Sequence, residues 1–76
     1  MELRHLQAFV KLTQTLNFSA AASELCITQS TLSATIRQLE DDLGVELFTR
    51  NSHGVVITEA GEQLLPFAQE ALYQAE

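Results

Sequence analysis

Seventy-six residues with ten acidic and four basic side chains, one Cys, one Pro and no Trp leave room for one small domain with a thin core. A lone Cys26 excludes an internal disulfide and a cysteine-built metal cluster, and no apolar run approaches the roughly eighteen residues that a membrane span requires. An N-terminus that carries Glu2, Arg4 and His5 among its apolar residues does not read as a secretory signal, so the chain is expected in the cytoplasm, with no membrane as partner.

The net charge of −6 argues against nucleic acid until its distribution is considered. The stretches Leu25 to Leu39 and Leu47 to Thr58 each hold one Arg and no acid, so each is +1 and the remainder together is −8. The acids gather instead at Glu40, Asp41, Asp42 and Glu46, and at Glu59, Glu62, Glu70 and Glu76. Such clusters are ordinary on a solvated face. Two carboxylate-free segments in so acidic a chain, however, mark surfaces able to approach a polyanion.

In chain order, Leu3, Leu6, Val10, Thr13 and Leu16 repeat at three and four residues, with Phe9 and Leu12 beside them, and predict a helix over Glu2 to Leu16. Asn17 and Phe18 break that pattern. Ser19 is the expected cap of a short second helix, Ala20 to Leu25, whose consecutive alanines permit close packing. Cys26 and Ile27 make a tight connection to Thr28, the cap of a third helix from Gln29 to Leu43 that Gly44 stops. Cys26 is expected as a small apolar filler in that turn, with redox chemistry the weaker reading. Val45 to Arg50 and Val55 to Thr58 predict two short strands around a four-residue loop, Asn51 to Gly54. Thr58 caps a fourth helix expected to run across Pro66 to Glu76, with Ala60, Leu64, Ala68, Ala71 and Ala75 along a seam and Leu65 and Leu72 beside it. Without a cap or stop at its end, that helix is expected to continue in a longer protein.

The third helix is the informative one. At 100° per residue Leu32, Ile36, Leu39 and Leu43 lie within about 60° of one another, while Ser30, Ser33, Ala34 and Arg37 point the other way. A solvent-facing helix usually displays Glu and Lys pairs, so this small and nearly uncharged face predicts the close approach of a partner. Three helices, the second and third joined by a short turn and followed by a hairpin, make a winged helix-turn-helix over residues 1–57, mainly α with a small β-hairpin wing, and 58–76 form a further helix.

The series Leu3 to Phe9, then Phe18, Ala21, Ala22 and Leu25, then Thr28, Gln29, Leu32, Ser33, Ile36, Leu39 and Glu40, then Leu43, Gly44, Leu47, Phe48, Arg50, Thr58, Ala60 and Gly61 resembles, in order and spacing, the N-terminal DNA-binding domain of LysR-type transcriptional regulators. The resemblance covers the whole chain. It implies a bacterial transcription factor that binds double-stranded DNA at a dyad-symmetric promoter site as a homodimer, with the third helix in the major groove and the wing on the backbone or minor groove. It implies that residues 58–76 are a linker helix pairing with its twin through Leu64, Leu65, Ala68, Ala71, Leu72 and Ala75. It implies as well a larger domain, absent from this chain, that binds a small-molecule effector. The fragment itself calls for no cofactor, and RNA polymerase is a further candidate partner of the full-length protein.

Within that frame Gln29 can offer a donor and an acceptor to adenine, and Ser30, Thr31 and Ser33 are short hydroxyls able to reach a phosphate or base edge. Family members often carry Pro at position 30 and Arg at position 34; Ser30 and Ala34 depart from that, and Ala34 offers only an apolar contact, for example to a thymine methyl. Arg37 is a candidate phosphate ligand, in competition with an intrahelical pair to Asp41. Arg50 resembles the family's backbone-contacting Arg, in competition with a pair to Glu46. His53 stands at the wing tip where members often carry Arg or Lys, which ties the charge of the wing to pH. Backbone N–H groups at the helix starts, at Ser19 and Thr28, complete the set.

The −6 charge and the missing cations at Ala34 and His53 keep a second reading open, a helical interaction module that no longer reads DNA. An enzyme is the poorest reading. No phosphate loop, metal constellation or nucleophile with its base is present in the sequence, and His5 stands without such partners, as a surface or partly buried residue.

Overall fold

The computed structural model describes residues 1–75. Six elements follow in order: α1 (Leu3–Thr15), α2 (Phe18–Leu25), α3 (Gln29–Leu43), β1 (Phe48–Asn51), β2 (Gly54–Ile57) and α4 (Glu59–Ala75). The first three helices pack on one another, the two strands form an antiparallel hairpin, and α4 returns to lie along α1. This is the winged helix-turn-helix that the pattern predicts, with a fourth helix added. The expected extension of that helix to Glu76 lies outside the described residues.

Glu2 caps α1, and Leu16 ends it in the left-handed region. The buried stripe is His5, Leu6, Ala8, Phe9 and Leu12. It is centred on the residues expected to flank it, because Leu3 and Leu16 lie at the helix ends, where both are largely exposed. His5 is buried, and its Nδ1 accepts the Glu2 N–H at 3.3 Å as part of the cap. The cap of α2 is Asn17 and not Ser19: Asn17 Oδ1 accepts the Ala20 N–H at 2.8 Å, which starts the helix two residues earlier than expected and makes Phe18 its first residue. Ala21 and Ala22 are buried, so the second helix approaches its neighbours closely there.

The turn from α2 to α3 closes by backbone bonds alone, Cys26 N–H to the Ser23 carbonyl and Ile27 N–H to the Ala22 carbonyl, with Cys26 at φ 59°. Cys26 is exposed, so it is no filler: the left-handed turn points its side chain to solvent. Thr28 Oγ1 accepts the Thr31 N–H at 3.1 Å and caps α3, and Gly44 at φ 71° ends it. Leu32, Ile36 and Leu39 are buried as their spacing requires. Leu43, the last of that stripe, is 37% exposed at the end of the helix, where the chain turns away through Gly44.

The hairpin is tighter than expected. Phe48 pairs with Ile57 and Asn51 with Gly54, so the loop is only Ser52 and His53, and Asn51 Oδ1 accepts the His53 N–H at 2.7 Å. Gly54 at φ 120° lets the ladder continue through a position expected to be loop. Val45, Glu46 and Leu47 lie outside β1, whose ladder starts only at the Phe48–Ile57 pair, because the backbone of Glu46 and Leu47 is engaged with α3 and the start of α4. Glu40 and Thr58 hold the backbone of Glu46, Leu47 and Phe48 from two sides. Glu40 Oε2 accepts the N–H groups of Leu47 at 2.7 Å and Phe48 at 3.3 Å, the Thr58 hydroxyl donates to the Glu46 carbonyl at 2.7 Å, and the Thr58 N–H donates to the Leu47 carbonyl at 2.9 Å. Thr58 Oγ1 in turn accepts the Gly61 N–H and caps α4, as expected.

Gly61 sits against this crossing with no room to spare. A Cβ there would meet the Leu47 carbonyl oxygen and Ile57 Cγ1, each at 2.6 Å. The carbonyl cannot retreat without losing the Thr58 bond. Gly61→Ala should therefore destabilise by about 1–2 kcal/mol despite the better helix propensity of Ala, an overpacking cost outweighing a gain near 1 kcal/mol. Urea denaturation checks it, and equal or greater stability of the variant would show that the crossing is loose.

At the same C-terminal end of α3, the Gln38 amide donates to Asp42 Oδ1 at 2.9 Å and the N-terminal ammonium lies 3.3 Å from Oδ2. The Gln38 bond first, and then the ammonium, hold the Asp42 carboxyl below its ordinary value of 3.8. A carboxyl depressed by folding adds stability above its unfolded value, and that stability is lost as pH falls through the folded value. Asp42→Asn should flatten the decline of stability between about pH 5 and pH 2, read by denaturant midpoints; an unchanged acid limb would assign that decline to other carboxylates.

Candidate nucleic-acid interface

The outer face of α3 is built by subtraction. Leu32, Ile36 and Leu39 take one side of the helix into the core, which leaves Gln29, Ser30, Thr31, Ala34 and Arg37 exposed on the other and Ser33 half-buried between them. None of these side chains is needed to fill the core. At the start of the helix the Thr28 hydroxyl donates to Thr31 Oγ1 at 2.8 Å and lies 3.2 Å from Ser30 Oγ. Thr28 is thus occupied by capping, and what it leaves free are the first-turn N–H groups of Gln29 and Ser30, which have no acceptor within the helix. Ser19 is exposed in the first turn of α2, one residue beyond Phe18.

Between α2, α3 and the wing runs an open groove of about 390 Å³, lined by Phe18, Ser33, Ile36, Arg37, Glu40, Phe48 and Arg50. Three residues singled out by sequence, Ser33, Arg37 and Arg50, therefore meet on one feature. Gln29, Ser30, Thr31 and Ala34 stand apart from it on the exposed face of α3, and His53 is exposed at the wing tip.

Charge is sorted around this groove. Among the described residues the ion pairs are three: the N-terminal ammonium with Asp42, Arg4 with Glu2 at 3.3 Å, and Lys11 with Glu24 at 3.1 Å. The competing pairs of Arg37 with Asp41 and of Arg50 with Glu46 do not form. Half of the four basic side chains are neutralised on α1, and the half left unpaired, Arg37 and Arg50, both line the groove. Glu40 lines it too, but Oε2 of its carboxylate faces the N–H groups of Leu47 and Phe48.

Two residues of this region were not legible as site residues. Phe18 is 8% exposed, and its ring lies under the Arg50 guanidinium, with the central carbon 3.9 Å from the ring centroid. Glu40 sets where the wing begins relative to α3. Neither role has a local signal, since the partners are separated by 32 and 7 to 8 residues.

The seam expected on α4 is shared with its own domain, and of its residues only Ala68 is fully buried. Ala68 is 1% exposed within the core, Leu64, Leu65, Ala71 and Leu72 pack against it, and Ala75 alone of the six is exposed. The helix instead presents Phe67, 73% exposed, and Tyr73, 70% exposed, neither of which the small-residue pattern singled out. Their helical phase places each about 100° from the seam residue beside it, Ala68 or Leu72.

The chain matches the model of a family described as bacterial regulatory helix-turn-helix proteins, lysR family, over residues 3–62. It is 46% identical over 69 residues to the HTH-type transcriptional regulator HdfR of Escherichia coli O139:H28, a match covering 91% of this chain and 25% of that protein. The chain thus spans about a quarter of the length of the curated relatives it matches. Among solved structures it superposes with a TM-score of 0.93 on the BenM DNA-binding domain in its catB site 1 DNA complex, at 40% identity, covering 99% of this chain and 84% of that one. The CbnR DNA-binding domain in complex with DNA gives 0.94 at 36% identity, with 99% and 86% covered.

Proposed function

The chain belongs to the LysR family of bacterial regulatory helix-turn-helix proteins, and on that footing we propose that it is the DNA-reading domain of a cytoplasmic transcriptional regulator. It binds a dyad-symmetric duplex site as a homodimer, with α3 in the major groove and the wing along the backbone or minor groove. The observation that carries this reading is the sorting of charge: in a chain of net −6, the two cations unpaired among the described residues border one groove, beside an exposed helix face that carries no acid before Glu40. The BenM and CbnR domains superpose on this chain and were each solved with DNA.

Roles follow from placement. Gln29 and Ala34 read base edges, with Ser30, Thr31 and Ser33 assisting; Arg37 and Arg50 bond phosphates, with His53 at the wing tip and the N–H groups at the starts of α2 and α3, near Ser19 and Thr28, adding further contacts. The dimer forms along α4, where Leu64, Leu65, Ala71 and Leu72 keep part of their surface and Ala75 is exposed. In the full-length protein a separate domain binds a small-molecule effector, and RNA polymerase is a partner of the assembled regulator. The domain reads DNA without catalysing a reaction.

Selection of the chain against a random duplex library at low salt tests the reading. It should enrich an interrupted dyad whose half-site centres lie about 34 Å apart or a multiple of it. Gln29→Ala should erase the base preference while leaving the dimer mass intact. No enrichment from a folded dimer would overturn the proposal in favour of an interaction module. With two unpaired cations per chain, the logarithm of affinity should fall with the logarithm of salt at a slope near −4 per dimer, since each neutralised phosphate contributes about −0.9. A slope steeper than about −8 would mean that cations other than Arg37 and Arg50 carry the contact.

A further inference from the structure

The geometry points to Phe18 as the positioning residue of Arg50: its ring holds the guanidinium in place without neutralising it, so that the guanidinium meets a phosphate with its full charge. This rests on the DNA-binding reading above and concerns how that site is built.

Phe48 and Arg50 are two apart on β1 and so project to the same side of the hairpin, the side on which Phe48 enters the core. Phe48 packs on Phe9 with ring centroids 5.6 Å apart, which fixes the strand on the helices. Arg50 is thereby carried over the first residue of α2, where its guanidinium carbon comes within 3.9 Å of the Phe18 centroid. The platform is firm, because Phe18 is buried in the core cluster and Asn17 caps the helix it begins.

A guanidinium needs something to hold it, since a free Arg side chain loses rotamer entropy on being fixed. Surface arginines are commonly held by a carboxylate. Here that would cancel the charge, and the acids within reach along the chain do not take the part: Glu46 makes no ion pair, and the Glu40 carboxylate serves Leu47 and Phe48. An aromatic face attracts the cation without neutralising it and leaves all five in-plane N–H donors at the edge. In an acidic chain with two unpaired cations, a clamp that spares the charge preserves the local positive potential.

The test measures affinity for the selected duplex at one low salt concentration. Phe18→Leu should weaken binding by about fivefold, the scale of one exposed cation–π contact. Arg50→Lys should weaken it comparably, because an ammonium keeps the charge but lacks the planar face, and this variant leaves the core untouched. Phe18→Tyr should restore affinity to the wild-type level. In an Arg50→Ala background Phe18→Leu should cost nothing further, an outcome that a merely structural role for Phe18 would not give. In the free chain the Arg50 methylene protons should show an upfield ring-current shift in NMR that Phe18→Leu removes.

The proposal fails if Phe18→Leu binds as the wild type does, if its loss persists in full without Arg50, or if the ring-current shift is absent. Those results leave DNA binding by the unaltered chain standing. Failure of the unaltered chain to bind any duplex would instead overturn the functional reading, and the role of the stack with it.

Discussion

The carboxylate of Glu40 takes the N–H groups of Leu47 and Phe48, and most of what is specific to this domain hangs from that contact. Hydrogen bonds to a charged acceptor contribute about 1.5–3 kcal/mol each, well above the neutral kind. Two of them, at the entry to β1, set the origin of the wing against the recognition helix. Leu47, with Glu46 before it, then receives the start of α4, through the two Thr58 bonds and the close approach of Gly61. A two-stranded hairpin is marginal alone. This one is held at its root by polar bonds and at Phe48 by the core, and its outer half is left free to meet a partner.

The division of labour among charges follows the same logic. Arg4 and Lys11 are answered by neighbouring acids on or near α1, away from the groove. The acidic residues Asp41, Asp42 and Glu46 lie at the C-terminal end of α3 and just beyond, while its first turns carry no charge until Arg37. Along the length of one helix the surface passes from uncharged to acidic. A polyanion can therefore approach only one end of it closely, so electrostatics orients the domain before any base is read.

How much of this the sequence disclosed depends on the range of the interaction. The cap and stop of α3, Thr28 and Gly44, and its two faces are local, and both stand where the spacing placed them. Asn17 and Ser19 are both good caps, and composition could not rank them; Phe18 decided the matter by being buried as the first residue of the helix. The loop length went astray because Gly54 can sit in a ladder as readily as in a turn. Nothing near Phe18 announces Arg50, and nothing near Glu40 announces Leu47, because those partners meet only once the helices and hairpin have assembled.

The separation of α3 into a buried row and an exposed row bears on how such a domain can change over generations. Gln29, Ser30, Thr31 and Ala34 fill no cavity, so the chemistry of this face can drift at little cost to folding. Phe18 is the opposite case, a single ring that belongs both to the core and to the groove under Arg50. A change there is screened twice, once by stability and once by binding. New surface chemistries are accordingly accessible by single steps along the helix, while the scaffold that presents them stays fixed.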